Sequence, residues 1–151
     1  MELSEKLATL HDDLSHFDTN YSPHEAHRIL KAHVHAGPDD VIITFGTGMT
    51  GAINKFQRIL GIKAPPGLRP YIDLGARERP VVFVTHMEHH SNQTSWCETI
   101  GDVVVIPPDE RGLVNPAALE ALLREHRDRP VKLGAFTACS NVTGIATPYH
   151  A

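Results

Sequence analysis

The chain has 151 residues, 41% of them hydrophobic, enough for one ordinary core and crowded for two. Its net charge of -4, with acids and bases interleaved, leaves no basic stripe for a nucleic-acid backbone and argues against that partner. No apolar run approaches the ~20 residues of a membrane span, MELSEKLATL lacks a signal-peptide layout, and Cys97 and Cys139 form no C-x-x-C pair. The expectation is a soluble cytoplasmic chain with free thiols and no membrane partner.

In chain order, Leu3, Leu7, Leu10 and Leu14 fall on one face of a short helix. A second helix starts at SPHEAHRILKAHVHAG: Ser22 with Glu25 makes a capping box, Pro23 suits the first position, and Gly37 suits the C-terminal cap. Ala26, Ile29, Leu30 and Val34 are its expected buried stripe. Val41 to Thr44 reads as a strand, and Ile53, Phe56, Ile59 and Leu60 mark a helix that ends at Gly61. A connection rich in Pro and Gly follows. The alternation then continues with strand PVVFVTH, helix SNQTSWCETIG, strand DVVVIPP, helix NPAALEALLREHRDR and strand VKLGAFTA. Asn115 and Pro116 supply another N-cap and first-turn pair. Continuous Val/Ile runs separated by helices predict an α/β fold, a mostly parallel sheet with helices on both faces. The domain reading is an N-terminal helical segment over 1–39 and one α/β domain over 40–151.

Parallel strands gather their following loops at one edge, which would bring together GTGMTG, THMEHHSN and ACSNVTG. The first loop contains a G-x-G-x-x-G at Gly46, Gly48 and Gly51. Its backbone N–H groups at a helix start suit a phosphate or carboxylate. A dinucleotide site also needs an acid about 20 residues on, at the end of the next strand. The nearby Asp73 lies before the apolar run at 81–85 instead, so only the phosphate half of that fingerprint is present. The second loop holds His86, Glu88, His89 and His90. Three histidines within five residues suggest a metal, but H-x-x-H-H has neither the helical spacing of H-E-x-x-H nor an obvious further ligand. One imidazole can instead cover the face of a planar cofactor, with the others solvated. In the third loop Asn141 can donate to a ligand oxygen or hold a turn.

These stretches resemble the class V aminotransferase and cysteine desulfurase family, of the fold-type-I enzymes dependent on pyridoxal 5'-phosphate. GTGMTGAIN is similar to the family's phosphate loop, MEHHSN to its histidine motif and ACSNVTGI to its asparagine motif, with VVVIPPDERGLVNPAALEALL between the last two. Order and spacing agree from about residue 20 to the end of the sequence. The resemblance implies that Gly48, Met49 and Thr50 hold the cofactor phosphate, that His89 stacks on the pyridine ring, and that Asn141 contacts its phenolic oxygen. It also implies an amino acid or related amine as substrate and a homodimer in the full-length protein. The family's Schiff-base lysine, its ring-nitrogen aspartate and its small domain come later than the stretch matched here. Lys6, Lys31, Lys55, Lys63 and Lys132 match no family position for the covalent link. The expectation is therefore an incomplete large domain of a fold-type-I enzyme, inactive alone and truncated before the lysine. The competing readings are a stand-alone phosphate- or nucleotide-binding α/β module, and a metal-dependent enzyme built on His86, His89 and His90.

Overall fold

The structure, a computed structural model, describes residues 23–147. The helix expected over Leu3 to Leu14 and the capping residue Ser22 lie outside the described residues. The chain divides into two compact units between Thr44 and Phe45.

In the first unit, helix α1 (Pro23–His33) starts on its proline and carries Glu25 in its first turn and Lys31 and His33 in its last, matching the helix dipole. Ala26, Ile29 and Leu30 are half-buried as expected, but Val34 is exposed because the helix has already ended. Gly37 is not its cap. His35 takes the left-handed conformation at φ 53°, which histidine tolerates better than most non-glycine residues. The Ala36 N–H then donates to Lys31 C=O at 2.9 Å and the His35 N–H to Ala32 C=O at 3.2 Å, closing the helix as a Schellman motif. Gly37 instead donates its N–H to the Asp40 carboxylate at 2.6 Å.

The strand expected over 41–44 does not form. A strand exists through its pairing, and among the described residues this run has no strand beside it. Val41 is 80% exposed and Ile43 50%.

The second unit begins with helix α2 (Gly48–Ile59). It stops where the sequence predicts: Gly61 is left-handed at φ 71°, and the Ile62 N–H reaches back to Gln57 C=O at 3.1 Å. A short 3-10 turn, Arg69–Tyr71, occupies the Pro/Gly connection. Strand β1 (Val81–Thr85), helix α3 (His90–Cys97), strand β2 (Asp102–Ile106), helix α4 (Pro116–Glu125) and strand β3 (Lys132–Ala135) then alternate.

The three strands are parallel in the order β2-β1-β3, with Val81 opposite both Asp102 and Lys132. As the central strand, β1 is buried at all five positions. On one face Val82 and Val84 pack with Trp96 and Ile62, flanked by Ile53 and Ile100. On the other, Val81, Phe83 and Ile106 meet Ala118, Leu119 and Leu122 of α4. Each such aliphatic or aromatic side chain contributes about 1.5–3 kcal/mol on full burial. The sheet therefore has helices on both faces, as the Val/Ile runs predict.

Asn115 caps α4, its side-chain oxygen accepting from the Ala118 N–H at 3.1 Å. Between β2 and α4 the Asp109 carboxylate accepts from the N–H groups of Arg111 at 2.9 Å and Leu113 at 2.8 Å. At the opposite end of the sheet Arg129 bonds both the Asp102 carboxylate and Arg79 C=O, holding the starts of β1 and β2.

Candidate functional site

Because the strands are parallel, the segments leaving β1 and β3 emerge at the same edge. The junction there is a carboxylate. Glu88 Oε1 accepts from the Thr85 hydroxyl at 2.6 Å, the Thr85 N–H at 3.4 Å and the Thr137 N–H at 2.8 Å. Its Oε2 accepts from the Asn92 amide at 2.8 Å. One half-buried side chain thus joins the end of β1, the first turn of α3 and the segment that follows β3.

His89 is the N-cap of α3. Its Nδ1 accepts from the Ser91 N–H at 3.2 Å and lies 2.7 Å from the Ser91 hydroxyl. A backbone N–H can only donate, so Nδ1 carries the lone pair and the ring proton of the neutral imidazole sits on Nε2. The ring is exposed, leaving its face and its Nε2–H available. His90 is exposed too, its ring 6.3 Å from that of His89 and tilted by 46°. His86 points elsewhere, with Nε2 at 2.9 Å from Gly112 C=O in the turn after β2. The three histidines do not converge, and no group of three or more His, Cys, Asp or Glu among the described residues could hold a metal ion.

After β3 the chain makes a tight loop. The Ser140 N–H bonds Ile145 C=O and the Thr147 N–H bonds Ala138 C=O, both at 2.9 Å. Ser140 holds the turn, its hydroxyl accepting from Val142 and Thr143 at 3.4 and 3.3 Å. The side chain of Asn141 is therefore not the one that closes the turn. It is exposed and makes no hydrogen bond within the described residues.

The glycine loop is built on a helix, because the strand expected before it does not form. Gly48 opens α2 at φ 65°, a conformation that disfavours any side chain. A Cβ on Gly51 would meet Thr47 Oγ1 at 1.9 Å, so a side chain there would force Thr47 to turn away. Thr47 gives no side-chain cap to α2, and the first turn holds no acid. The N–H groups of Gly48, Met49 and Thr50 thus stand at the positive end of the helix without a side-chain acceptor among the described residues. Met49 is 75% exposed. No hydrogen bond joins these three residues to His89 or Asn141.

The connection between the loops runs through the interior instead. Gln57 of α2 is 0% exposed and donates its amide to Ser95 Oγ at 2.9 Å. Ser95 donates to Asn92 C=O at 3.1 Å, and the Asn92 side chain both donates to Glu88 and accepts from Trp96 Nε1 at 2.9 Å. A polar chain therefore extends from the middle of α2 to the edge where His89 and Thr137 sit. Nothing in the residue types singles out Asn92, Ser95 or Gln57, and Glu88 draws attention in the sequence only by standing beside the histidines. A usable signal exists: Glu88, Asn92 and Trp96 are spaced i, i+4, i+8, which stacks them along one side of a helix and its entry.

An α/β domain with glycine-rich and polar loops and an uncapped helix start is the general architecture of a phosphoryl-cofactor site. The sequence matches the family described as Aminotransferase class-V over residues 24–151. The chain belongs to that family, whose members are generally pyridoxal-phosphate-dependent enzymes acting on small molecules. No curated protein and no solved structure shows a significant match. Among the described residues no helix is long and apolar enough to cross a membrane.

Proposed function

We propose that this chain supplies the phosphate- and ring-binding part of a pyridoxal-5'-phosphate enzyme that acts on an amino acid or related amine. The observation that carries the reading is the open start of α2: a left-handed Gly48, an uncapped first turn and no acid to compete with an anion. The residues fit the cofactor. Gly48, Met49 and Thr50 would take its phosphate through backbone N–H groups, with the Thr50 hydroxyl in reserve. His89 would cover one face of the ring, its orientation set by Ser91. Asn141, whose side chain makes no hydrogen bond among the described residues, would donate to the ring oxygen. When bound, pyridoxal phosphate supplies an electron-withdrawing ring that stabilises negative charge at the carbon beside the substrate amine. The protein's own part is to anchor, orient and shield that ring, and to offer the Nε2–H of His89 as a proton source beside it.

Residues 40–151 are read as part of the cofactor-binding large domain, and 1–39 as a helical segment before it. Among the lysines, Lys31, Lys63 and Lys132 already donate to Pro38 C=O, to Asn54 and Glu98, and to Arg129 C=O. Those bonds argue against Lys31, Lys63 and Lys132 as the covalent anchor, and Lys55 matches no family position for it, so binding by this chain is weak and reversible. Two exposed free thiols agree with a reducing, cytoplasmic setting, and a homodimer is the proposed assembly of the full-length protein.

Trp96, the sole tryptophan, lies on the same helix as the His89 cap and reports binding directly. Pyridoxal phosphate should quench its emission saturably, pyridoxal without the phosphate should do so far more weakly, and His89→Ala should weaken the quench more than His90→Ala. Borohydride reduction followed by peptide mapping should find no stoichiometric adduct. Equal quenching by any nucleotide would favour a general phosphate module, and a stoichiometric adduct on Lys55 would overturn the assignment of the anchor.

A further inference from the structure

We infer that Glu88 is a positioning residue whose paired carboxylate oxygens fix the histidine loop and the asparagine loop relative to each other. The inference rests on the cofactor reading only for what His89 and Asn141 are positioned to meet. Its basis is the polarity of the groups that converge on Glu88, all of which donate. The Thr85 N–H, the Thr85 hydroxyl and the Thr137 N–H meet Oε1, and the Asn92 amide meets Oε2. The Thr85 oxygen itself accepts from the Met87 N–H at 3.3 Å, which leaves its proton directed at Glu88. Asn92 cannot turn its amide around, because its oxygen is held by Trp96 Nε1, a group that only donates. Trp96 is in turn buried in the core, 2% exposed. Only a side chain that accepts at both ends satisfies this set, so glutamine fails although it has the same shape: its amide must face a donor whichever way it lies.

Both loops depend on this junction. Thr137 is the second residue beyond β3 and stands at the base of the loop that carries Asn141, which closes at Ala138–Thr147. His89 adjoins Glu88 in the chain, and the Asn92 N–H bonds His89 C=O at 2.9 Å. Glu88 and Asn92 therefore hold the N-cap from both sides.

The test uses the whole 151-residue chain, without cofactor, by nitrogen-15 NMR. In Glu88→Gln the Thr137 amide should exchange about tenfold faster, as expected for the loss of one hydrogen bond. The His89 ring nitrogens and the Asn141 side-chain amide should shift together. Adding Asn92→Asp should reverse the effect, because the new carboxylate accepts from both the introduced amide and Trp96 Nε1, giving up only the long 3.4 Å bond from Asn92 to Ala135 C=O. Thr137 exchange should then return to within about twofold of wild type. Unchanged His89 and Asn141 signals in Glu88→Gln would overturn the inference. So would a double variant that fails to restore them, including one that fails to fold. A wild type that ignores pyridoxal phosphate but shows the loss and the rescue would sink the cofactor reading and support the role of Glu88.

Discussion

Two β-branched runs of nearly the same composition have opposite fates in this chain. VVFVT at 81–85 is the central strand, buried at every position, whereas VIITF at 41–45 forms no strand and leaves Val41, Ile43 and Phe45 exposed. Local preference does not separate them. The first run has β2 and β3 on either side and helices on both faces, whereas the second has no strand beside it among the described residues. Strand propensity is a statement about fitting a paired, packed surface. The same contrast divides the candidate site: the histidine and asparagine loops stand on strand ends tied by Glu88, while the glycine loop stands on a helix start held through Gln57.

The sharpest way to break this contrast is to truncate one residue in each run. Phe83→Ala should cost about 3–5 kcal/mol, the usual range for emptying an aromatic core position. Ile43→Ala should stay within ~0.5 kcal/mol, as for a surface change. Urea unfolding measures both, and equal losses would show that 41–45 is packed after all. Its apolar side chains are exposed and its backbone has no strand partner among the described residues, which predicts association at high concentration that sedimentation would detect.

A smaller effect is expected at the glycine loop. Gly48→Ala places a side chain at φ 65°, an arrangement that costs roughly 1–2 kcal/mol. Nothing lies within 4 Å of the added Cβ, so the penalty is conformational and not steric crowding. Relief by rotating the backbone would also turn the N–H groups of α2, so phosphate binding should fall along with stability. The expected loss of stability with unchanged phosphate binding would separate the two roles. Smaller again, Asn115→Ala should cost about 1 kcal/mol by removing the α4 cap, while Asn115→Asp should retain it.

The smallest predicted effect concerns acid. The Leu113 N–H, more than any other group, holds the Asp109 carboxyl below its usual range, with the Arg111 N–H and guanidinium adding to it against a partial desolvation. A carboxyl whose pKa is lower folded than unfolded stabilises above the unfolded value, and that contribution is lost as pH falls through the folded one. The 109–114 turn should therefore loosen only below the ordinary carboxylate range. Carbon-13 titration of Asp109 with amide exchange at Leu113 would detect this, and loosening already at neutral pH would contradict it.

Much of the fold is legible because its signals are local. The runs at 81–85 and 102–106, the Asn115-Pro116 start and the Gly61 stop all fall where the pattern puts them. What escapes is what depends on partners. The strand at 41–44 needs a neighbour that no window of sequence can supply. The stop at His35 is a left-handed histidine where a glycine two residues later fits the usual pattern better. At the site, glycines and histidines draw attention by type, whereas Glu88 matters through donors 3, 4 and 49 residues away. Gln57 is harder still: its neighbours Phe56 and Ile59 look like the buried face of α2 but are exposed, and the polar residue goes inside.

A pyridoxal phosphate titration followed through backbone and side-chain amide signals asks whether three separate loops serve one ligand. If they do, Gly48, Met49, Thr50, His89 and Asn141 shift along one common saturation curve, and inorganic phosphate moves only the first three. Shifts confined to the glycine loop with pyridoxal phosphate would contradict a shared site.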